Sequence, residues 1–325
     1  YPIVAHLLST WICAQVSAEE PKPARRVRDR SLLSFAVMSS LRDYLPDAVP
    51  LAEIRRVLVT KLRHHGDVLL ASPVFATLQR AAPHAQIDAL VYAETAPMLE
   101  GHPAIARLLS IDRGWKSQGL RAQLAGERAL MKSLRSGPYE LLIHLTEHPR
   151  GLKLARALAP RYAVTRERRD GENAWLWRRY FTHFYKLPRN TPRHAVEANL
   201  DALHRIGVQP GETDKRLVLV PGAAARARID SLMREHGLRS RGFVHAHPGS
   251  RWFFKCWPAR DNAALFDRLA ADGQTIVVTG APDARERALA AEILAAVSPA
   301  TRARIVDLTG ALSLPELAAL TAQAR

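Results

Sequence analysis

Three short stretches carry residue types that could do chemistry. The first is Arg63-His64-His65-Gly66-Asp67, which follows the apolar run Val57-Leu58-Val59-Thr60-Lys61-Leu62. Such a run reads as a buried strand, and α/β sheets place their ligands at the carboxyl ends of parallel strands. Gly66 would let the backbone turn tightly and leave Asp67 beside a helix start. Asp67 then has two readings: a cap on that helix, or a general base that faces a cleft between domains and takes a proton from an incoming hydroxyl. His64 and His65 read as polar surface groups, because no carboxylate or cysteine stands at a spacing that completes a metal site.

The second stretch, His247-Pro248-Gly249-Ser250-Arg251-Trp252-Phe253-Phe254-Lys255-Cys256-Trp257-Pro258, also follows an apolar strand (Phe243, Val244, Ala246). Gly249 and Ser250 offer backbone amides and a hydroxyl, and Lys255 a point charge suited to a diphosphate. The plainer reading is a solvated lysine with aromatics packed under a loop. Third, Thr279-Gly280-Ala281-Pro282-Asp283-Ala284-Arg285-Glu286 joins a strand end to a helix N-terminus. Asp283 and Glu286 suit cap and dipole partners there, while Glu286 could instead accept from the ribose hydroxyls of a nucleotide. His245 and His247 alternate along a strand and could share a face, which is weak evidence for a metal. No GxGxxG, Walker A, HExxH or nucleophile-elbow pattern occurs.

The elements that must position these stretches alternate strand and helix. Strands are predicted at 57–62, 86–92, 107–111, 140–145 and 161–164, with helices at 120–136 and 151–159, and with Ser72 capping a helix that has Pro73 at its first position. A helix at 194–206 ends at Gly207, and Gln209-Pro210-Gly211-Glu212 breaks the pattern. The alternation restarts with strands at 216–220, 242–247, 274–279 and 304–308, and helices at 223–236, 261–272 and 283–297. The last helix opens with a Ser313/Glu316 capping box. Continuous apolar strands alternating with helices imply buried parallel sheets, hence an α/β fold of two domains. We place residues 1–52 as an extension or leader, partly disordered, and the domains at 53–210 and 211–325. Met38 is the expected natural start.

The 325 residues hold 47 Lys+Arg against 31 Asp+Glu, a net charge of +16. Twelve basic and three acidic residues fall in 150–193, so the excess is local: Arg168, Arg169 and Arg189 are among the former, Asp170 and Glu172 among the latter. No stretch of 18 apolar residues spans a bilayer, and two distant cysteines, Cys13 and Cys256, form no disulfide framework, which fits a reducing, cytoplasmic compartment. The charge alone admits nucleic acid, an anionic membrane or a phosphorylated substrate. RNA-binding or helix-turn-helix patterns are absent.

Taken together, Lys61-Leu62-Arg63-His64-His65-Gly66-Asp67-Val68-Leu69-Leu70, His247-Pro248-Gly249-Ser250 with Lys255 and Trp257-Pro258, Thr279-Gly280 with Glu286, and Leu308-Thr309-Gly310 before Ser313-Leu314-Pro315-Glu316-Leu317 resemble glycosyltransferase family 9, the lipopolysaccharide heptosyltransferases. The Arg-His-His-Gly-Asp variant looks most like the heptosyltransferase III branch. The resemblance covers about residues 53 to 325. It implies two Rossmann-like domains of the GT-B type, an acceptor on the first and ADP-heptose on the second.

By resemblance, Asp67 is the general base of an inverting, metal-independent transfer without a cofactor. Lys255 and Ser250 hold the diphosphate, Glu286 with Gly249 and Gly280 contacts the donor, and Arg63, His64 and His65 face the acceptor. The implied partners are a lipopolysaccharide core acceptor and the anionic cytoplasmic face of the inner membrane, with no specific nucleic acid. The family's Asp-Ser-Gly-like motif ending in His should begin just beyond Arg325, so the second domain is expected to be incomplete and the chain truncated. The other readings are a different nucleotide-sugar transferase of this architecture, or an inactive basic fragment that binds anionic lipid or nucleic acid.

Overall fold

The computed structural model describes residues 47–167, 174–187 and 193–325. The expected leader with Cys13 and Met38, and Arg168, Arg169, Asp170, Glu172 and Arg189 of the basic segment, lie outside the described residues. The rest forms two compact units that divide at Val220/Pro221.

The first unit is built on β1 (Arg56–Thr60), α1 (His65–Leu69), α2 (Ser72–Ala81), β2 (Gln86–Tyr92), β3 (Arg107–Ile111), α3 (Leu120–Leu134), β4 (Leu141–His144), α4 (Arg150–Leu158), β5 (Tyr162–Arg166), α5 (Ala174–Tyr180), β6 (His183–Tyr185) and α6 (Ala195–His204). All six strands are parallel, in the order β3-β2-β1-β4-β5-β6. Because the side chains of a strand alternate, Leu58, Leu90, Leu142 and Ala163 face one side and pack on Leu130 and Leu134 of α3, Leu154 of α4 and Trp177 of α5. Val57, Val59, Ile87, Ala89 and Ile143 are equally buried on the other. The strand order reverses between β1 and β4, the switch point at which open α/β sheets bind their ligands.

Three expectations are corrected here. Residues 216–220 form no strand, although four of the five are apolar: Val218 N donates to Ser72 Oγ (3.0 Å) instead of to a ladder. That bond also corrects the role of Ser72, since Ala71 holds the cap position of α2 and the Ser72 hydroxyl serves Val218. The chain up to Val220 stays with the first unit, fastened by Arg80 to Asp214 (2.6 Å) and Lys215 to Glu197 (3.0 Å), so the division falls after the Pro210–Gly211 break rather than in it.

The second unit comprises α7 (Gly222–Glu235), β7 (Phe243–Ala246), α8 (Ala259–Ala271), β8 (Thr275–Gly280), α9 (Ala284–Ala296), α10 (Pro299–Arg302), β9 (Ile305–Thr309) and α11 (Leu314–Gln323). Its strands are parallel in the order β7-β8-β9. Val277 faces Ile229 and Leu232 of α7 and Leu320 of α11, while Ile276 and Val278 face Phe266 of α8 and Ile293 of α9. The Ser313/Glu316 capping box forms as expected, Ser313 N donating to Glu316 Oε2 at 2.7 Å.

Candidate active site

In the first unit the chemistry gathers at the carboxyl end of β1. Asp67 lies in the first turn of α1, partly buried, and neither of its oxygens has a hydrogen-bond partner among the described residues. His64 occupies the cap position, and its carbonyl accepts from Val68 N (3.0 Å), so the reading of Asp67 as the helix cap is set aside. Gly66 is also corrected: it sits within α1 and makes no tight turn, and nothing lies within 4 Å of where a Cβ would stand. Its lack of a side chain leaves space next to Asp67. His65 Nε2 donates to Glu94 O (2.7 Å), and Arg63 is exposed with no ion-pair partner among the described residues.

Beneath Asp67 stands Lys61, which is buried. Its amine donates to Leu145 O (3.1 Å), just past β4, and to Asn199 Oδ1 (2.8 Å) on α6. Asn199 Nδ2 in turn donates to Leu70 O (2.8 Å), the residue that ends α1. One amide therefore ties the lysine to the short helix that carries Asp67. Burial pushes the Lys61 amine down to about 8; the Asp67 charge opposes this and Arg63 adds to it. Beside it His144, buried and pushed down to about 3 by desolvation, is neutral, its Nδ1 lying 2.5 Å from Thr60 Oγ1.

In the second unit Asp283 caps α9, accepting from Arg285 N and Glu286 N (both 3.0 Å). Glu286 instead reaches back to Ala281 N (2.6 Å) and is buried. A Cβ on Gly249 would stand 2.4 Å from Glu286 Oε2 and one on Gly280 3.2 Å, so these three predicted donor residues do converge. A side chain on Gly249 would displace the carboxylate, and one on Gly280 would press against it. Ser250 Oγ accepts from Trp252 N (3.3 Å). Lys255 ends a short turn, its amine 5.9 Å from the Phe254 ring centre, with no carboxylate within 4 Å among the described residues. Arg285 lies over the Phe253 ring at 4.0 Å.

His245 and His247 share a face as expected, and Thr279 joins them. Thr321 Oγ1 donates to Leu317 O (2.7 Å), so it accepts from His245 Nδ1 (3.1 Å). His245 Nε2 then accepts from the Thr279 hydroxyl (2.7 Å), whose oxygen accepts from His247 Nδ1 (2.9 Å). Burial holds His245 down near 4 and also lowers His247, against the pull of Glu286. His247 Nε2 lies 3.7 Å from Glu286 Oε2, so the imidazole and the carboxylate stand side by side. Among the described residues no three His, Cys, Asp or Glu side chains gather as metal ligands.

The sequence pattern of glycosyltransferase family 9 (heptosyltransferase) matches residues 127–325. Lipopolysaccharide heptosyltransferase 3 of Escherichia coli is 31% identical over 259 residues, which are 80% of this chain and 73% of that protein. The chain belongs to glycosyltransferase family 9. Its fold agrees: a family 9 structure from Veillonella parvula superposes with a TM-score of 0.71 at 24% identity, covering 84% of this chain and 74% of the other. The E. coli heptosyltransferase WaaC with ADP-2-deoxy-2-fluoro heptose gives 0.63 at 18% identity, with 83% and 80% covered. The α/β fold is thus that of the GT-B heptosyltransferases.

In this glycosyltransferase Lys61 is the site residue that the sequence reading did not single out. A lysine closing an apolar strand and preceding the Gly-Asp pair was the available signal. Its amine makes a testable contribution to pH dependence. The folded value lies below the ordinary 10.5, so between about pH 8 and 10.5 the unfolded chain binds more protons and stability rises with pH. The full rise is on the order of 3 kcal/mol. Urea unfolding at several pH values should show it in the wild type and not in Lys61→Met; parallel curves would show that the Lys61 amine keeps its ordinary value in the folded chain.

Proposed function

We propose that the protein moves a heptose from ADP-heptose to the inner core of lipopolysaccharide, at the cytoplasmic face of the inner membrane. The observation that carries the reading is Asp67, a carboxylate at the sheet's switch point that no hydrogen bond among the described residues consumes. Asp67 takes the proton of an acceptor hydroxyl whose oxygen attacks the anomeric carbon. The bond from that carbon to the diphosphate breaks, its electron pair leaves with ADP, and the configuration inverts. Arg63, His64 and His65 surround the acceptor end. Lys255, unpaired among the described residues, and Ser250 meet the charge developing on the diphosphate, so the step needs no metal ion. Glu286, with His247 beside it, accepts from hydroxyls of the donor nucleoside, and Gly249 and Gly280 let its carboxylate lie close to the backbone.

The test is ADP release from ADP-heptose in the presence of lipopolysaccharide core acceptor, run against UDP-linked sugars. Lys255→Ala is expected to raise the KM for ADP-heptose about ten- to a hundredfold, the worth of one hydrogen bond to a charged group. Equal turnover of UDP-sugars, or a variant KM equal to the wild type's, would overturn the donor assignment.

A further inference from the structure

One face of the six-stranded sheet is covered by α3, α4 and α5, whose inner residues share one core. Arg150 of α4 bonds Glu127 of α3 (3.0 Å), and Arg135 Nη2 donates to Ala157 O (3.3 Å), so α3 and α4 lie side by side. The outer surface of this layer has an unusual composition. Leu120 is 78% exposed and Leu124, one turn on, 53%; Trp175 on α5 is 66% exposed. Also exposed on the three helices are Arg121, Arg128 and Lys132 of α3, Lys153 and Arg156 of α4, and Arg179 of α5. The only acidic residue on the three helices is Glu127, which Arg150 neutralises.

Two explanations fit a cationic face, nucleic acid and anionic lipid, and the apolar residues decide between them. Phosphate recognition has no use for two leucines held in water one turn apart. Leucine and tryptophan beside Lys and Arg on a helix face are the composition of an interfacial surface, in which the apolar side chains enter the headgroup boundary and the cations sit over acidic headgroups. We propose that the outer surface of α3, α4 and α5 docks the protein on an anionic bilayer through Leu120, Leu124 and Trp175 together with the basic residues of the same helices. No helix among the described residues is long and apolar enough to cross a membrane, and the proposed contact is a peripheral one. The proposal rests on the membrane placement above for its setting, and on none of the transfer chemistry.

The experiment is sedimentation of the full chain with vesicles of phosphatidylglycerol and phosphatidylcholine, against phosphatidylcholine alone, without donor or acceptor. The wild type is expected to bind the mixed vesicles and not the neutral ones. Leu120→Asp with Leu124→Asp, and separately Arg121→Glu with Arg128→Glu, should each weaken binding about tenfold or more. Transfer to a soluble, delipidated core acceptor should be unchanged in both, since none of these residues belongs to the site. Variants that bind vesicles as the wild type does, or a wild type that binds RNA and no vesicles, would overturn the proposal. Loss of transfer with vesicle binding intact would count against the heptose reading alone.

Discussion

Asp67→Asn is expected to lower the transfer rate about 10²- to 10⁴-fold, the usual range for losing a general base, and to leave the protein folded. Asparagine keeps the shape of the side chain and cannot take the acceptor's proton. The substitution breaks no hydrogen bond among the described residues, because the carboxylate makes none, and the space beside it that Gly66 leaves open is unchanged. Lys61 loses the attraction of the Asp67 charge, so its amine should become easier to deprotonate. The decisive measurement is turnover over a pH series, together with a thermal melt of the same sample. A fall in rate with an unchanged melting temperature is the expected pair of results. Near-normal turnover would remove Asp67 from the chemistry, and a collapsed melting temperature would make it structural.

What the sequence reveals of this site follows from how local each determinant is. The Gly-Asp pair, the Gly249 and Gly280 approaches and the Asp283 cap lie at strand ends and helix starts, where a few neighbouring residues set the geometry. Lys61 is different. It closes an apolar run that reads as strand, and its burial is imposed by Asn199, 138 positions away. Residues 216–220 fail in the opposite direction: their composition is that of a strand, but a strand needs a neighbour to bond, and Val218 finds the Ser72 hydroxyl. β6 has three residues and gives no periodic signal, while the basic residues around it hide that Trp177 and Phe181 belong to the core. The shared Thr279 partner of His245 and His247 needs the register of β7 against β8, which pairs His245 with Val277.

The largest effect on stability is expected at Asp88, on β2. Its Oδ2 accepts from Arg56 (3.0 Å), Arg107 (2.8 Å) and Tyr139 (2.6 Å), joining β1, β3 and the turn before β4. Arg56 and Asp88 lie toward the amino ends of their strands, away from the end that holds Asp67. Burial alone would raise the carboxyl, but the hydrogen bonds from Arg107, Tyr139 and Arg56 outweigh it and hold the group below its ordinary value. Asp88→Ala leaves two guanidinium groups without their shared anion and should cost about 3 kcal/mol, the lower end for breaking a buried pair, because Arg107 stays partly solvated. The pH dependence fixes the cause. A carboxyl with a lowered folded value contributes its full stability above the unfolded value and loses it as pH falls through the folded one. The gap between the wild type and Asp88→Asn in urea unfolding should therefore be widest at neutral pH, and should close as the pH drops below the ordinary carboxylate value of 3.8. A gap that persists unchanged into acid would mean that shape, and not charge, is what Asp88 contributes.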